Sequence, residues 1–597
     1  MALTDAIAAR SEGNPFFAEE LLAAGDRGRE LPRGLRDLLL QRVARLDPAT
    51  QSLLRLAAAA GHDVGYPLLR AVAARPEPDL RQSLRRAVEH GVLVAEQATG
   101  SLRFRHALLA EAVYTTILPG EREELHARLA EELARGAAAP AAELAPHWAA
   151  AGRSAEALAA SVEAARQAEA VFGLAEARSH LERALALWPA VPDAAELVRL
   201  DLAALCLWTA ELAAQAGAAP RAVELVRRAI ELAGQGDPRR AGLLHERLGR
   251  YLHWSGRADI AIDAFARAVE LVPPQPPSPE RAQALASLAN GLALAWRYDE
   301  SLAICEQALV LARAVRAHRE ELHALTTLGV DLAYVGRGDE GLAALRLARQ
   351  LAEQGEDPEG LERAYIALTD VLMMTGRPRE SALVAEAALD AIHRYGGDHS
   401  TLVANLIEPL VASGEWDKAD RVSAAAVRAI TANYPHMRLI VRGDLETGRG
   451  DFDAARAHLD AARATLHSDR DLATYDAFVA ELGLWERRWT DAEAAVRDGV
   501  ARTYSGDMAQ IRVWLCAKGL RAQAELAALA RARHDADAVR DHLGRARTML
   551  AVARDAEAEA SPVTPNAGGW RALAEGEYER ARGVARPERW AEAADTW

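Results

Sequence analysis

The sequence predicts an all-α protein: a right-handed solenoid of helical hairpins, preceded by a small domain with one β-hairpin. Three observations carry this expectation. Half of the 597 residues are hydrophobic but only 5% are aromatic, and the dominance of Ala, Leu, Arg and Glu favours helix over strand. A short turn recurs as GRADIA, WRYDES, GRGDEG, GRPRES, GEWDKA, GDFDAA and RRWTDA, starting at 256, 296, 336, 376, 414, 450 and 487. Finally, the sixth residue of each string is small (Ala261, Ser301, Gly341, Ser381, Ala419, Ala455, Ala492), and so is the residue seven further on. Small residues two turns apart on one helix mark a face where another backbone comes close.

Residues 4–10 read as a helix end, broken at Ser11-Glu12-Gly13-Asn14-Pro15, with a new helix starting at Pro15. The stretch 31–61 reads as two amphipathic helices separated at Asp47-Pro48. Helices follow at about 65–74 and 78–90, the latter stopped by Gly91. Residues 91–94 and 102–105 flank a polar turn containing Gly100, the one β-hairpin signal in the chain. Helices followed by a short hairpin describe a winged helix, expected over 31–135. His106–Tyr114 begins the next helix, and another runs over 121–135.

From 136 to 597 the chain reads as the array, clearest over 240–500. Leu-small pairs at Leu248-Gly249, Leu288-Ala289, Leu328-Gly329 and Leu368-Thr369 lie twelve residues before the small position of the turn. The Pro-rich stretch 272–279 reads as a stiff connection, because the 40-residue register survives across it. A loop is expected over 561–569, then a hairpin whose second helix is cut off at Trp597.

This pattern resembles tetratricopeptide repeats, whose consensus places Leu-Gly on the first helix and two small residues seven apart on the second; the usual 34-residue period is stretched here to 36–40. Two further strings, RSEGNPFFAEELL at 10–22 with LPRGLRDLLLQRVARL at 31–46, and FRHALLAEAVY at 104–114, resemble the signal-transduction ATPases with numerous domains. The likeness is to the large LuxR-type transcriptional regulators of that class. It implies that residues 1–30 end a nucleotide-binding module, with Gly13, Asn14 and Pro15 beside the adenine. It also implies that His106 senses the β-phosphate; Ala107 stands where the family's Met-His-Asp form has its acid. The same residues also fit a plain helix-start turn and a structural histidine at the base of the wing.

Composition and motifs exclude several chemistries. The formal net charge is −15, and residues 1–135 carry 18 Arg against 19 Asp plus Glu. Nearly all the excess acid therefore lies in the repeats, which argues against non-specific grip on DNA or anionic membrane. Cys206, Cys305 and Cys516 are far apart, so neither a metal spacing nor a disulfide framework follows, and a cytoplasmic setting is the expectation. No apolar run suggests a signal peptide or a membrane span. The only lysines, Lys418 and Lys518, follow no phosphate-binding loop, and no HExxH or GxSxG motif occurs. The expectation is no enzyme, no metal and no cofactor in this chain, with ATP or ADP bound by a nucleotide-binding domain that the chain lacks.

The functional reading is a sensor part of a LuxR-like ATPase regulator, binding a protein or small-molecule signal in the repeat groove and reaching DNA only through a helix-turn-helix that the chain lacks. Trp254 and Trp296 are the candidate groove aromatics. The alternative is a free-standing tetratricopeptide scaffold for protein interaction.

Overall fold

The computed structural model describes residue 18, residue 31 and residues 33–596, apart from short stretches at 97–99, 137–139, 235, 296, 356, 394–398, 429–434, 467–468, 504–507, 560–564 and 585. Gly13, Asn14, Pro15 and Trp296 lie outside the described residues, as does nearly all of 1–30. The chain divides into two units, 1–232 and 233–597.

The first unit begins with α1 (Arg33–Ala44) and α2 (Pro48–Ala60). Asp47 caps α2 by accepting from the Thr50 N–H at 3.0 Å, with Pro48 in the first turn where its missing N–H costs nothing. Then come β1 (Asp63–Gly65), α3 (Tyr66–Val72), α4 (Glu77–Glu89), β2 (Leu93–Glu96), β3 (Ser101–Phe104), α5 (Ala107–Tyr114) and α6 (Pro119–Arg135). The β-hairpin of β2 and β3 is joined by an unforeseen third strand, giving an antiparallel sheet in the order β1-β3-β2. Val64 stands opposite Leu102, and Leu93 opposite Phe104. Leu102 and Phe104 both point inward, as period-two alternation requires, onto a core of Leu35, Leu53, Leu54, Leu69, Leu80, Leu108 and Leu109. The fold is a winged helix, and the expected helix over 65–74 is shorter because β1 takes its first residue.

Helical hairpins follow, beginning with α7 (Ala141–Ala150) and α8 (Ser154–Ala170), then α9 (Leu174–Leu187), the short α10 (Ala194–Val198), α11 (Leu202–Gln215) and α12 (Ala219–Ala233). The second unit is a run of hairpins: α13 (Pro238–Trp254) with α14 (Ala258–Leu271), α15 (Pro279–Leu294) with α16 (Tyr298–Val315), and α17 (His318–Tyr334) with α18 (Gly338–Gly355). It continues with α19 (Pro358–Met374) and α20 (Pro378–Ile392), α21 (Ser400–Ala412) and α22 (Trp416–Arg428), and α23 (Pro435–Arg449) and α24 (Phe452–Arg463). The last hairpins are α25 (Asp469–Trp485) with α26 (Trp489–Arg502), α27 (Ala509–Ala532) with α28 (Ala536–Glu559), and α29 (Pro565–Ala581) with α30 (Pro587–Thr596). The expected loop over 561–569 ends earlier, because Pro565 opens α29, the first-turn position that proline favours. The protein is a tetratricopeptide-type helical-hairpin solenoid preceded by a winged helix.

Each recurring turn closes its first helix in the same way. In the first hairpin of the second unit the Arg257 N–H reaches back to the Leu252 carbonyl at 2.9 Å, and the Arg337, Arg377, Glu415, Asp451 and Arg488 amides repeat the bond at 2.7–2.9 Å. This six-to-one bond satisfies a carbonyl that the helix end leaves free, and it needs a left-handed residue just before it. Gly256, Gly336, Gly376, Gly414 and Gly450 supply that residue with φ between +72° and +81°, whereas Arg487 adopts it at +60° without being glycine.

The small positions mark the close approach within each hairpin. A Cβ on Gly249 would meet the Phe265 ring at 2.7 Å, and one on Gly291 would meet the same ring at 2.8 Å, so Phe265 fills space left by two glycines on α13 and α15. A Cβ on Gly341 would collide with the Gly329 carbonyl oxygen. Where the small residue is serine, its hydroxyl uses the contact: Ser301 Oγ donates to the Ala289 carbonyl at 2.8 Å, and Ser381 Oγ to that of Thr369 at 2.9 Å.

Candidate functional site

The first helices of successive repeats form a wall, and what they present there depends on register within the repeat. Six residues before the turn residue of each repeat stand Arg250, Asn290, Val330, Asp370, Glu408, Asp444 and Glu481. The wall therefore runs from basic and neutral at α13–α17 to acidic at α19–α25.

At the basic end lies a cavity of about 260 Å³, lined by residues of α13, α15, α17 and α19 together with Phe265 of α14. Its floor is Glu246, 1% exposed. Arg247 reaches its Oε2 at 2.5 Å, Arg250 its Oε1 at 3.1 Å, and Ser287 Oγ donates to Oε1 at 2.8 Å. Burial alone would raise the Glu246 carboxyl; the charges of Arg250 and Arg247 with the serine hydroxyl outweigh it and hold the group below the usual carboxylate range. Arg319 pairs with Glu359 at 2.6 Å and with Asp357 at 3.8 Å.

Two groups in this cavity are not balanced in that way. Arg363 donates through Nη2 to the His323 carbonyl and to Thr327 Oγ1, both at 2.9 Å, and has no carboxylate at ion-pair distance among the described residues. Burial, reinforced by the Arg250 charge, pulls its guanidinium down to about 10. His323 Nε2 is buried with no hydrogen-bond partner. Burial, then the charges of Arg363, Arg250 and Arg319, hold the His323 imidazole well below its usual range, so it is neutral at pH 7.

Further along, carboxylates face one another. Desolvation by the crowding helices pushes Glu408 up to about 7, with the charges of Asp370 and Asp444 adding to the rise, and burial pushes Asp444 up to about 6. Asp370 is also raised, chiefly by burial. Asp370 and Glu408 remain open to solvent, so the rise reflects crowding by neighbouring helices rather than full enclosure. The row closes at Lys518, whose buried ammonium bonds Glu481 and lies 5.1 Å and 5.4 Å from the Trp514 and Trp570 ring centroids. Burial would raise Glu481, but Lys518 brings it below the usual range.

Of the residues singled out from sequence, Trp254 lines the cavity, 46% exposed, with its ring 5.8 Å from that of Tyr251. His106 precedes α5, where its carbonyl accepts the Leu109 N–H at 2.9 Å. Three winged-helix arginines are engaged internally: Arg81 with Glu77 at 2.5 Å, Arg86 with Asp47 at 2.8 Å, and Arg105 with the Gly91 carbonyl at 3.1 Å. Sequence reading missed Glu246, His323, Arg363 and the acidic row. Counting back six residues from each turn would have found the row; the pocket residues sit at other registers and needed the packing.

Among the described residues, no group of His, Cys, Asp and Glu could hold a metal ion, and no helix is long and apolar enough to cross a membrane. No protein-family model and no curated protein matches the chain. Solved structures similar to it include the following three. One is a signal transduction ATPase with numerous domains, carrying a tetratricopeptide repeat sensor, from Pyrococcus horikoshii: 14% identity, 77% of this chain and 68% of that one, TM-score 0.35. Another is a Rap protein complexed with competence and sporulation factor: 14% identity, 68% and 99% covered, TM-score 0.38. The third is a tetratricopeptide repeat protein from Parabacteroides merdae: 13% identity, 44% and 92% covered, TM-score 0.32.

Proposed function

We propose that this chain is the signal-receiving part of a LuxR-like regulator of the multidomain ATPase class, and that it acts by binding rather than by catalysis. The signal, a protein segment or a small inducer, is taken up on the first-helix wall of the repeats, and the winged helix passes binding on to a nucleotide-binding domain. That domain, with its ATP or ADP, and a DNA-binding helix-turn-helix belong to the proposal and lie outside this chain. The observation that carries the reading is the cavity at α13–α19, where four successive first helices converge polar and charged groups around the buried Glu246 carboxylate. The strings around Gly13-Asn14-Pro15 and His106 support the family half of the reading. A second reading, a free-standing scaffold, draws on the same wall.

The test is to screen peptides and small acids by thermal shift and to map each hit by hydrogen–deuterium exchange. Protection of first-helix segments between 238 and 485, with altered exchange in 33–135, is expected of a sensor. Protection without change in 33–135 supports the scaffold. Hits that protect only second helices refute both.

A further inference from the structure

We propose that the cavity between α13, α15, α17 and α19 is a carboxylate site, in which the Arg363 guanidinium and His323 Nε2 hold the acid. The inference deepens the signal-binding reading and rests on it. Charge balance singles out Arg363. Arg247 and Arg250 share Glu246, and Arg319 is matched by Glu359 and Asp357. Among the described residues Arg363 makes only neutral hydrogen bonds, to the His323 carbonyl and Thr327 Oγ1, while Glu359 and Asp357 act on its charge from beyond ion-pair distance. A crowded guanidinium without a counter-ion at ion-pair distance is costly, and a planar carboxylate matches its donor fork.

The second, independent observation is His323. Its Nε2 is buried without a partner, on a residue lining the same cavity, and a buried ring nitrogen normally has a partner. In the tautomer with the proton on Nε2, it donates to an acid seated on Arg363. Asn290 and Gln283 line the cavity and offer amide groups, while Trp254 and Phe265 give it apolar surface. The volume of about 260 Å³ suits one acid-bearing side chain, a chain terminus or a small free acid. Glu320, Asp357 and Glu359 also line it and disfavour a doubly charged phosphate against a singly charged carboxylate.

The test is calorimetric titration of the full chain with propionate, with the peptide Ala-Ala-Glu as free acid, and with inorganic phosphate. Arg363→Gln, Arg363→Lys and His323→Leu are the test variants, Arg337→Gln (an exposed arginine paired with Glu340) is the control, and circular-dichroism melts check folding. Saturable binding of a carboxylate probe is expected, weakened about tenfold or more by Arg363→Gln, less by Arg363→Lys, and unchanged by Arg337→Gln. Binding of propionate assigns a free acid; binding of the peptide alone assigns a peptide carboxylate. No binding by any probe, tighter binding of phosphate, or carboxylate binding untouched by both Arg363→Gln and His323→Leu overturns the site. If hits from the wider screen still protect the first-helix wall, the carboxylate site fails while the signal-binding reading stands.

Discussion

Replacing Asp331 by asparagine should make the repeat unit more stable at pH 8 while leaving it nearly unchanged at pH 4. Asp331 is fully buried on α17, where its Oδ2 lies 2.5 Å from Ser301 Oγ. Ser301 Oγ also lies 2.8 Å from the Ala289 carbonyl, yet a serine has one proton to give. Both bonds form at once only when Asp331 is protonated: its O–H donates to Ser301 Oγ, and Ser301 donates to Ala289. Burial pushes Asp331 up to about 7, well above the usual carboxylate range. A raised carboxyl makes its full contribution to stability below the unfolded value and loses it as pH rises from about 4 to about 7. A rise of about three pH units at about 1.4 kcal/mol each gives roughly 4 kcal/mol as an upper figure, since water entering around the ionised form lowers it. An asparagine amide donates to Ser301 Oγ without ionising. Urea unfolding followed by circular dichroism at pH 4, 5, 6, 7 and 8 measures the difference. The advantage of Asp331→Asn should grow steadily up to about pH 7 and then level off. Parallel curves for the two proteins across this range would refute the shared-proton argument.

Gly341→Ala should destabilise by about 1–3 kcal/mol, because its new Cβ would collide with the Gly329 carbonyl; Gly355→Ala, with open space around it, should be neutral or slightly stabilising, and urea melts compare the two. Gly414→Ala meets no atom within 4 Å, so its cost should be the left-handed backbone alone, about 1 kcal/mol, read as a lower denaturation midpoint with an unchanged slope. In the first unit, His126 Nδ1 lies 2.8 Å from His147 Nδ1, and burial, then the His147 and Arg122 charges, pull His126 down to about 4. A lowered histidine contributes stability above its unfolded value of about 6.5 and loses it as pH falls towards 4. His126→Gln should therefore flatten the acid side of the thermal-melting profile between those values, and an unchanged profile would count against it.

Much of the architecture is legible in the residues because its causes are local. The turn glycines and the small pairs state where a first helix ends and where a second comes close, and Asp47-Pro48 announces the start of α2 within the winged helix. The cavity is a different case. Glu246, Ser287, His323 and Arg363 are spread over 118 positions and occupy three different registers, so no window of sequence places them together. The acidic row was half-visible: one residue per repeat at constant register, hidden because Arg250, Asn290 and Val330 interrupt the pattern in the earlier repeats.

The sequence by itself determined the helical repeat, its period and its turns, because backbone hydrogen bonding and steric closeness act between residues a few positions apart. Only the tertiary structure decided that β1 joins the sheet, since a three-residue strand carries too little alternation to declare itself and is fixed by the free edge of β3. Packing, too, left Arg363 without a carboxylate at ion-pair distance and His323 Nε2 without a hydrogen-bond partner among the described residues. Which charges cancel and which remain depends on distances between helices about forty residues apart, and those distances are set by packing.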